Sequence, residues 1–403
     1  MIAECEPFSI QGWFMRVMVF GGMSQSLINF RGPLLREMVK RGHSIWASAG
    51  EVDPQVVETL KKWGIHFIPI NLSRTGMNPI KELQTLFQSW KVMRRLKPDT
   101  VLCYTIKPVI WGGLAARMCG IRQSFSLVTG LGYAFMNKSG TMVRLVGWFA
   151  RMLYRVSLKN SRKVFFQNPD DMRELMDLGF VKTEQCVVLN GSGVDLDHFR
   201  FCAGERATRR EPNRFSCLLI ARLLWDKGIG EYVAAARTIK KKYPQVRFQL
   251  AGGFDSSPIS ISKSDLEGWI NEGIIEYLGY LKDVRPSLSE CDLYVLPSFY
   301  EGTPRTVLEA MAIGRPIITS DAPGCRETVR PGKDGWRHFQ KLKIGANGIL
   351  VPVKDVGALV SAIMYLVSTP GAIQSMGLES RSYAEERYNV HKVNEVLLMH
   401  MQL

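Results

Sequence analysis

Four charged side chains in the second half of this 403-residue chain have types and spacings suited to a phosphorylated ligand. Glu301 and Glu309 lie in FYEGTPRTVLEAMAIGRPIITSDAPGCRETV, Phe299 to Val329. A strand, Leu293–Ser298, leads into this segment. Thr303 then reads as a helix N-cap and Pro304 as the first helical residue, with the helix running through Ala312 and stopping at Gly314. The first turn leaves the backbone N–H groups of Arg305 and Thr306 free to point at an anion, and the helix dipole adds to the attraction. One acid before the helix and one inside it could both face a ligand lying across the helix start. A sugar nucleotide, with hydroxyls at both ends and a diphosphate between, suits that layout. Arg222 and Lys227 lie five residues apart in IARLLWDKGIGEYVAAA, in a loop after the strand Phe215–Ile220, with Gly228 at the turn. Arginine by bidentate geometry and lysine as a point charge could grip a diphosphate from two sides. Each pair alone has a plain alternative, since paired glutamates recur by chance and a loop cation pair is usually solvated.

The elements that must carry these residues repeat one scheme twice. In the first half, apolar β-rich runs lie at Arg16–Phe20, Ser44–Ser48, His66–Pro69, Thr100–Cys103, Ser124–Val128 and Lys163–Phe166. Helical patterns lie between them, including Gly32–Arg41, Pro79–Leu96 and Val109–Met118. In the second half, strands are predicted at Phe215–Ile220, Arg247–Leu250, Ile275–Leu278, Leu293–Leu296, Pro316–Thr319 and Ile349–Val351. Such alternation predicts parallel sheets with helices on both faces. The expected division is a tail or mis-assigned start at 1–14, a first Rossmann-like domain at 15–199, a polar basic linker at 200–214, a second Rossmann-like domain at 215–375, and a C-terminal helical segment at 376–403 returning to the first domain. Two doubly wound domains enclose a cleft, and ligands of such folds bind at the carboxyl ends of the strands.

The formal net charge is +15, and residues 1–199 carry +10 of it. Thr100 to Pro169 holds ten Lys or Arg and no acid. That balance calls for an anionic partner. Nucleic acid is not expected, because no RNP-like, zinc-finger or helix-turn-helix arrangement is visible. The eight cysteines form no CxxC pair, so a zinc site is not expected, and a reducing compartment is. No run of about 18 apolar residues predicts a spanning helix, and MIAECEPFSI lacks a basic signal-peptide start.

Taken together, ARLLWDKG and EGTPRTVLEAMAIGRPIITSDAPGCRE resemble the retaining glycosyltransferases of family 4, which have the GT-B fold. TIKPVIWGGLAAR (Thr105–Arg117), TGLGYAF (Thr129–Phe135), FFQNPDD (Phe165–Asp171) and NGSGVDLDHF (Asn190–Phe199) resemble one bacterial subgroup, which adds a sugar to a saccharide on undecaprenyl diphosphate. The resemblance runs from about Met15 to Tyr388. It implies that Arg222 and Lys227 hold the donor diphosphate, that Glu301 lies near the donor sugar, and that Glu309 meets the ribose hydroxyls. It further implies that Gly302, Thr303, Arg305 and Thr306 fall near the phosphates, and that Tyr277–Val284, with Tyr280 and Leu281, reads the base. Gly22, in the Gly21–Gly22 turn, is expected to approach the ligand from the first domain. Thr105, Lys107, Gly130 and Asn190 are expected on the acceptor side or between the domains. One departure stands out: the family's histidine after the fourth strand is missing, and the stretch reads CYTIKP. A second is Trp336–Ala346, which looks inserted.

The resemblance implies a UDP-sugar donor, a lipid-diphosphate-linked saccharide acceptor, no cofactor and no metal. Asp195-Leu196-Asp197 matches a metal-binding pattern nominally, but it sits in a loop before the linker. Thr141–Lys163, read as a helix, lines Arg144, Trp148, Arg151, Arg155, Lys159 and Arg162 along one face, with Leu145, Phe149, Met152 and Val156 facing elsewhere. It reads either as an interfacial helix on anionic lipid or as a core helix with a solvated basic stripe. With a lipid acceptor, the expected place is the cytoplasm, peripheral on the inner face of the cytoplasmic membrane. Two other functions compete: an epimerase or hydrolase of sugar nucleotides on the same fold, and a non-catalytic membrane-associated protein that keeps it.

Overall fold

The computed structural model describes residues 14–72, 78–131, 141–202 and 215–403. The expected tail therefore lies outside the described residues but for Phe14, as do most of the linker and Gly132–Phe135 of the TGLGYAF motif. The first sheet has seven parallel strands: β1 (Arg16–Phe20), β2 (Ser44–Ala49), β3 (His66–Pro69), β4 (Thr100–Tyr104), β5 (Gln123–Val128), β6 (Lys163–Phe166) and β7 (Cys186–Val188). Their order is β3-β2-β1-β4-β5-β6-β7. The helices of this half are α1 (Ser24–Asn29), α2 (Gly32–Lys40), α3 (Pro54–Lys62), α4 (Pro79–Leu96), α5 (Ile106–Met118), α6 (Thr141–Lys159) and α7 (Pro169–Asp177). Helix α5 begins three residues earlier than its pattern predicts. Pro108 falls in its first turn, where a missing N–H costs nothing.

The second sheet holds β8 (Ser216–Ile220), β9 (Arg247–Ala251), β10 (Glu276–Tyr277), β11 (Leu293–Leu296), β12 (Ile317–Ser320), β13 (Arg337–Phe339), β14 (Leu342–Ile344) and β15 (Gly348–Val351), in the order β10-β9-β8-β11-β12-β15-β14-β13. Its helices are α8 (Ile229–Lys240), α9 (Lys263–Asn271), α10 (Arg285–Glu290), α11 (Arg305–Ile313), α12 (Val356–Val367) and α13 (Pro370–Arg387), and α14 (Val390–Met401) follows. The segment Trp336–Ala346 is a hairpin: β13 and β14 run antiparallel and extend the sheet beyond β15. Leu342 and Ile344 are buried in it.

The central strands of each sheet are covered on both faces, so they read as continuous apolar runs. On one side of the first sheet, Val17, Val19, Leu34, Leu35 and Leu60 pack with Leu397, Leu398 and Met401 of α14. The C-terminal helix thus shares the first domain's core. The crossing is fixed where Val194 N–H donates to Tyr388 O and Val390 N–H to Val194 O. On the other side, Met93, Val109, Trp111, Tyr154 and Leu158 bring α4, α5 and α6 into one layer. Among the described residues, no single helix is long and apolar enough to cross a membrane.

Candidate active site

In the second sheet β8 and β11 are neighbours, and the chain winds away from them in both directions. That is the topological switch point, where a crevice opens at the carboxyl ends of the strands. The two charged loops leave from here. The backbone N–H of Phe299 donates to Asp226 O at 2.8 Å, and Ser298 Oγ to the same carbonyl at 3.2 Å, knitting the loops together. Gly228 adopts φ +71°, and a Cβ there would sit 2.1 Å from Pro297 O. Only glycine permits both the turn and the approach.

This packing brings Lys227 Nζ to 2.7 Å from Glu301 Oε1. Both side chains are largely buried. Burial pulls the Lys227 ammonium down, but the carboxylates of Glu301 and Asp226 outweigh it and hold the group above its usual value. Lys227 is a fixed cation. Arg222 follows β8 and donates from Nη1 to Asp255 Oδ2 at 2.8 Å, with about half its side chain exposed. Asp255, in the loop after β9, was not read from the sequence.

Helix α11 starts at Arg305, one residue later than predicted, and Thr303 does not cap it. Pro304 is the cap position and no side chain bonds there. The Thr303 hydroxyl instead donates to Gln167 O of the first domain at 2.8 Å, because that carbonyl lies within reach across the cleft. The first-turn N–H groups of Arg305 and Thr306 lack intrahelical acceptors by geometry. The Thr306 hydroxyl is occupied: it donates to Ile220 O and accepts from Tyr294, tying the helix to β8. Inside the helix, Arg305 Nε donates to Glu309 Oε1 at 2.8 Å. Burial pushes the Glu309 carboxyl above its usual range, and Arg305 pulls it partly back. Gly314, with φ +86°, ends the helix. Tyr280 is exposed beyond β10 beside Gly253, and Leu281 packs partly into the core.

The first domain closes onto this loop. A Cβ on Gly302 would meet Thr129 O at 2.4 Å and Gln167 Oε1 at 2.5 Å, and Gly130, with φ +120°, lies against Gly302. Asn168 Nδ2 donates to Gly302 O at 2.9 Å while its Oδ1 caps α7. The Tyr300 hydroxyl donates to Asp171 Oδ1 and accepts from Leu131 N–H. Arg326 Nη1 donates to Asp170 Oδ2 at 2.6 Å. Asp170 and Asp171, in the first turn of α7, thus also latch the domains together. Gly191 packs against Thr303, and Asn190 Oδ1 accepts from Arg387 Nε at 2.8 Å.

Other predicted positions distribute differently. Gly22 lies against Thr105, whose φ of +68° and ψ of 157° are unusual for a β-branched residue. Lys107 pairs with the buried Glu82 of α4 at 2.5 Å, and Trp111 Nε1 donates to the same carboxylate, so Lys107 braces two helices. Asp195 Oδ1 accepts from the N–H groups of Asp197 and His198, which makes it a turn residue. On α6, Trp148, Arg155 and Lys159 are exposed and Arg151 is partly so, while the Arg144 side chain lies outside the described residues. Phe149 and Met152 do not turn away from that face: they are exposed beside Trp148, because Tyr154, Ser157 and Leu158 form the buried face.

The chain matches known proteins along nearly its whole length. A family model described as Glycosyl transferases group 1 matches residues 214–369, and one described as Glycosyl transferase 4-like matches residues 34–168. A Campylobacter jejuni relative, N,N'-diacetylbacillosaminyl-diphospho-undecaprenol alpha-1,3-N-acetylgalactosaminyltransferase, is 31% identical over 85% of this chain and 90% of its own. The Escherichia coli UDP-Gal:alpha-D-GlcNAc-diphosphoundecaprenol alpha-1,3-galactosyltransferase is 24% identical over 78% of this chain and 77% of its own. Among solved structures, HepE of Anabaena in complex with UDP is 16% identical with a TM-score of 0.74, covering 96% of this chain and 100% of that one. Sucrose-phosphate synthase from Thermosynechococcus elongatus is 18% identical with a TM-score of 0.74, covering 95% and 97%. These neighbours share the GT-B fold of two Rossmann-like domains. With two family models in chain order and a relative above 30% identity along nearly its whole length, the chain belongs to the group 1 glycosyltransferases with a family-4-like first domain.

Proposed function

We propose that the protein transfers a hexose or N-acetylhexosamine from a UDP-sugar to a saccharide carried on undecaprenyl diphosphate, with retention at the anomeric carbon. The observation that carries this reading is the Lys227–Glu301 pair at 2.7 Å, set beside Arg222 and the start of α11 at the switch point. The acceptor class rests on the two relatives above, whose names specify diphospho-undecaprenol saccharides. The E. coli relative's name also specifies a UDP-linked donor.

Arg222, Lys227 and the free N–H groups of α11 would hold the donor diphosphate. The bond between the anomeric carbon and the UDP oxygen breaks, and the acceptor oxygen bonds to the same face of that carbon. The acceptor proton passes to an oxygen of the departing diphosphate. Lys227 and Arg222 stabilise the negative charge that grows there. Glu301 orients the donor sugar and stabilises positive character on its ring. Tyr280 and Leu281 flank the base, and Glu309 receives the ribose.

A peripheral place on an anionic membrane is part of the reading. Helix α4 supports it through its N-terminal half: Glu82, Thr85 and Ser89 are buried, while Ile80, Leu83 and Phe87 are each more than 60% exposed. Exposed Trp148, Phe149 and Met152 of α6 lie on the same side of the sheet, beyond α5. Two apolar stripes in a basic domain suit a lipid surface.

The test is a transfer assay with a panel of UDP-sugars against undecaprenyl-diphosphate-linked saccharides, read by mass spectrometry, with the new linkage assigned by NMR. One added sugar in the donor's own anomeric configuration is expected. Epimerised donor or free sugar without transfer would replace this reading with an epimerase or hydrolase.

A further inference from the structure

Arg31 is nowhere used in the site above, yet it is placed like a ligand-binding residue. It follows α1 in the loop after β1, and Tyr104 ends β4 beside it. Strands β1 and β4 are neighbours, and the chain winds away from them in both directions, so this is the switch point of the first sheet. The side chain is 2% exposed, and its Nε is sealed from solvent with no hydrogen-bond partner. Among the described residues no carboxylate forms an ion pair with it.

Among the described residues, the groups that bear on the Arg31 charge are the Tyr104 ring and the Arg305 guanidinium. The Arg31 guanidinium lies 5.2 Å from the centroid of the Tyr104 ring. That ring is fixed on both sides: Gly21 presses against it, and its hydroxyl meets Ser26 Oγ at 2.7 Å. The adjacent Phe30 ring carries the Arg305 guanidinium of the opposite domain at 5.0 Å. Burial pulls the Arg31 group down to about 10; Tyr104 raises it and Arg305 depresses it further. At neutral pH it is still a cation. A buried cation without an acid is costly, and a second cation across the cleft adds to the cost. An anion between Arg31 and Arg305 would relieve both.

We propose that Arg31 binds a phosphate oxygen of a diphosphate ester from the first domain's side of the cleft, opposite Arg305. This rests on the glycosyltransferase reading above, which supplies two sources of that chemistry: the donor's UDP and the acceptor's lipid diphosphate. Calorimetric titration of wild type, Arg31→Met and Arg31→Lys with UDP, uridine and farnesyl diphosphate separates them. A charge-assisted, bidentate contact predicts that Arg31→Met loses at least about tenfold in affinity for one diphosphate. Loss for UDP with uridine unchanged assigns Arg31 to the donor, and loss for farnesyl diphosphate with UDP unchanged assigns it to the acceptor. Arg31→Lys should fall between wild type and Arg31→Met. The ligand-free Tm of Arg31→Met should equal or exceed that of wild type, since an uncompensated buried charge has gone.

If Arg31→Met binds both diphosphates within twofold of wild type, this inference fails alone. If it loses uridine as well and its ligand-free Tm drops, Arg31 shapes the cleft and the inference fails. Wild-type protein that binds neither diphosphate would overturn it together with the donor assignment.

Discussion

At the residue scale, the Lys227–Glu301 pair makes the sharpest prediction. Lys227→Ala removes the cation proposed to face the leaving group and leaves Glu301 without that partner in a largely buried place. By analogy with loss of one charge-stabilising donor, turnover should fall about 10²–10³-fold in single-turnover transfer assays. Wild-type turnover in that variant would end the diphosphate assignment. A second prediction concerns Asp171. Burial pushes its carboxyl up to about 7 from an ordinary value near 3.8, with the bonds from Tyr300 and Asn168 pulling partly back. The folded protein therefore binds more protons than the unfolded chain between these values. The contribution is full below about pH 4 and is lost as the pH rises through about 7. Asp171→Asn keeps an acceptor for the Tyr300 hydroxyl but cannot ionise. It should be more stable than wild type by about 1–3 kcal/mol at pH 8, and the advantage should shrink toward pH 5. Thermal melts at the two pH values check this, and a gap that ignores pH would refute it. Lys227 and Glu301 could be singled out as candidates because each sits in a contiguous motif whose spacing suits a diphosphate. The role of Asp171 was not legible, because Tyr300 lies 129 positions away. A single sequence does not say which loops meet.

At the element scale, the α/β alternation was readable because the central strands of both sheets are covered on both faces, which makes them continuous apolar runs. The misses have local causes. Strand β7 and the hairpin β13–β14 have three residues each, too short for a periodic signal. Thr303 had the chemistry of a cap, but its hydroxyl took a carbonyl of the other domain instead. The turn before α8 was read correctly from its glycine, and it carries the next prediction. Gly228→Ala forces a side chain into φ +71° and against Pro297 O at 2.1 Å. The left-handed conformation alone costs about 1–2 kcal/mol, and the clash adds to it while displacing Lys227. Urea denaturation should show that loss, and UDP binding should weaken with it. A stability within a few tenths of wild type would mean that the two loops part readily.

At the scale of the whole molecule, the +10 charge of residues 1–199 pointed to an anionic surface but not to where on the domain it acts. Helix α4 shows why. Apolar residues at helical spacing say that one stripe is hidden, and they do not say whether core or lipid hides it. In α4 the core takes Glu82, Thr85 and Ser89, made tolerable by bonds from Lys107 and Trp111 to Glu82 and from the two hydroxyls to backbone carbonyls. Ile80, Leu83 and Phe87 are left outside. Burying each such side chain in an apolar phase is worth at most about 1.5–3 kcal/mol, and each nearby basic residue adds about 1 kcal/mol at an anionic surface. Wild-type protein should therefore cosediment with phosphatidylglycerol vesicles more strongly than with phosphatidylcholine vesicles, and less so at high salt. Replacing Ile80, Leu83 and Phe87 together by serine should weaken that binding at least about tenfold. The Tm should hold, because these side chains contribute little to the core, and transfer to a short-chain, detergent-soluble acceptor should persist. Loss of vesicle binding with soluble turnover intact would place the lipid on α4. Undiminished binding by the triple variant would leave α6 to hold the membrane alone, and equal binding to neutral and anionic vesicles would mean that the basic charge serves another partner.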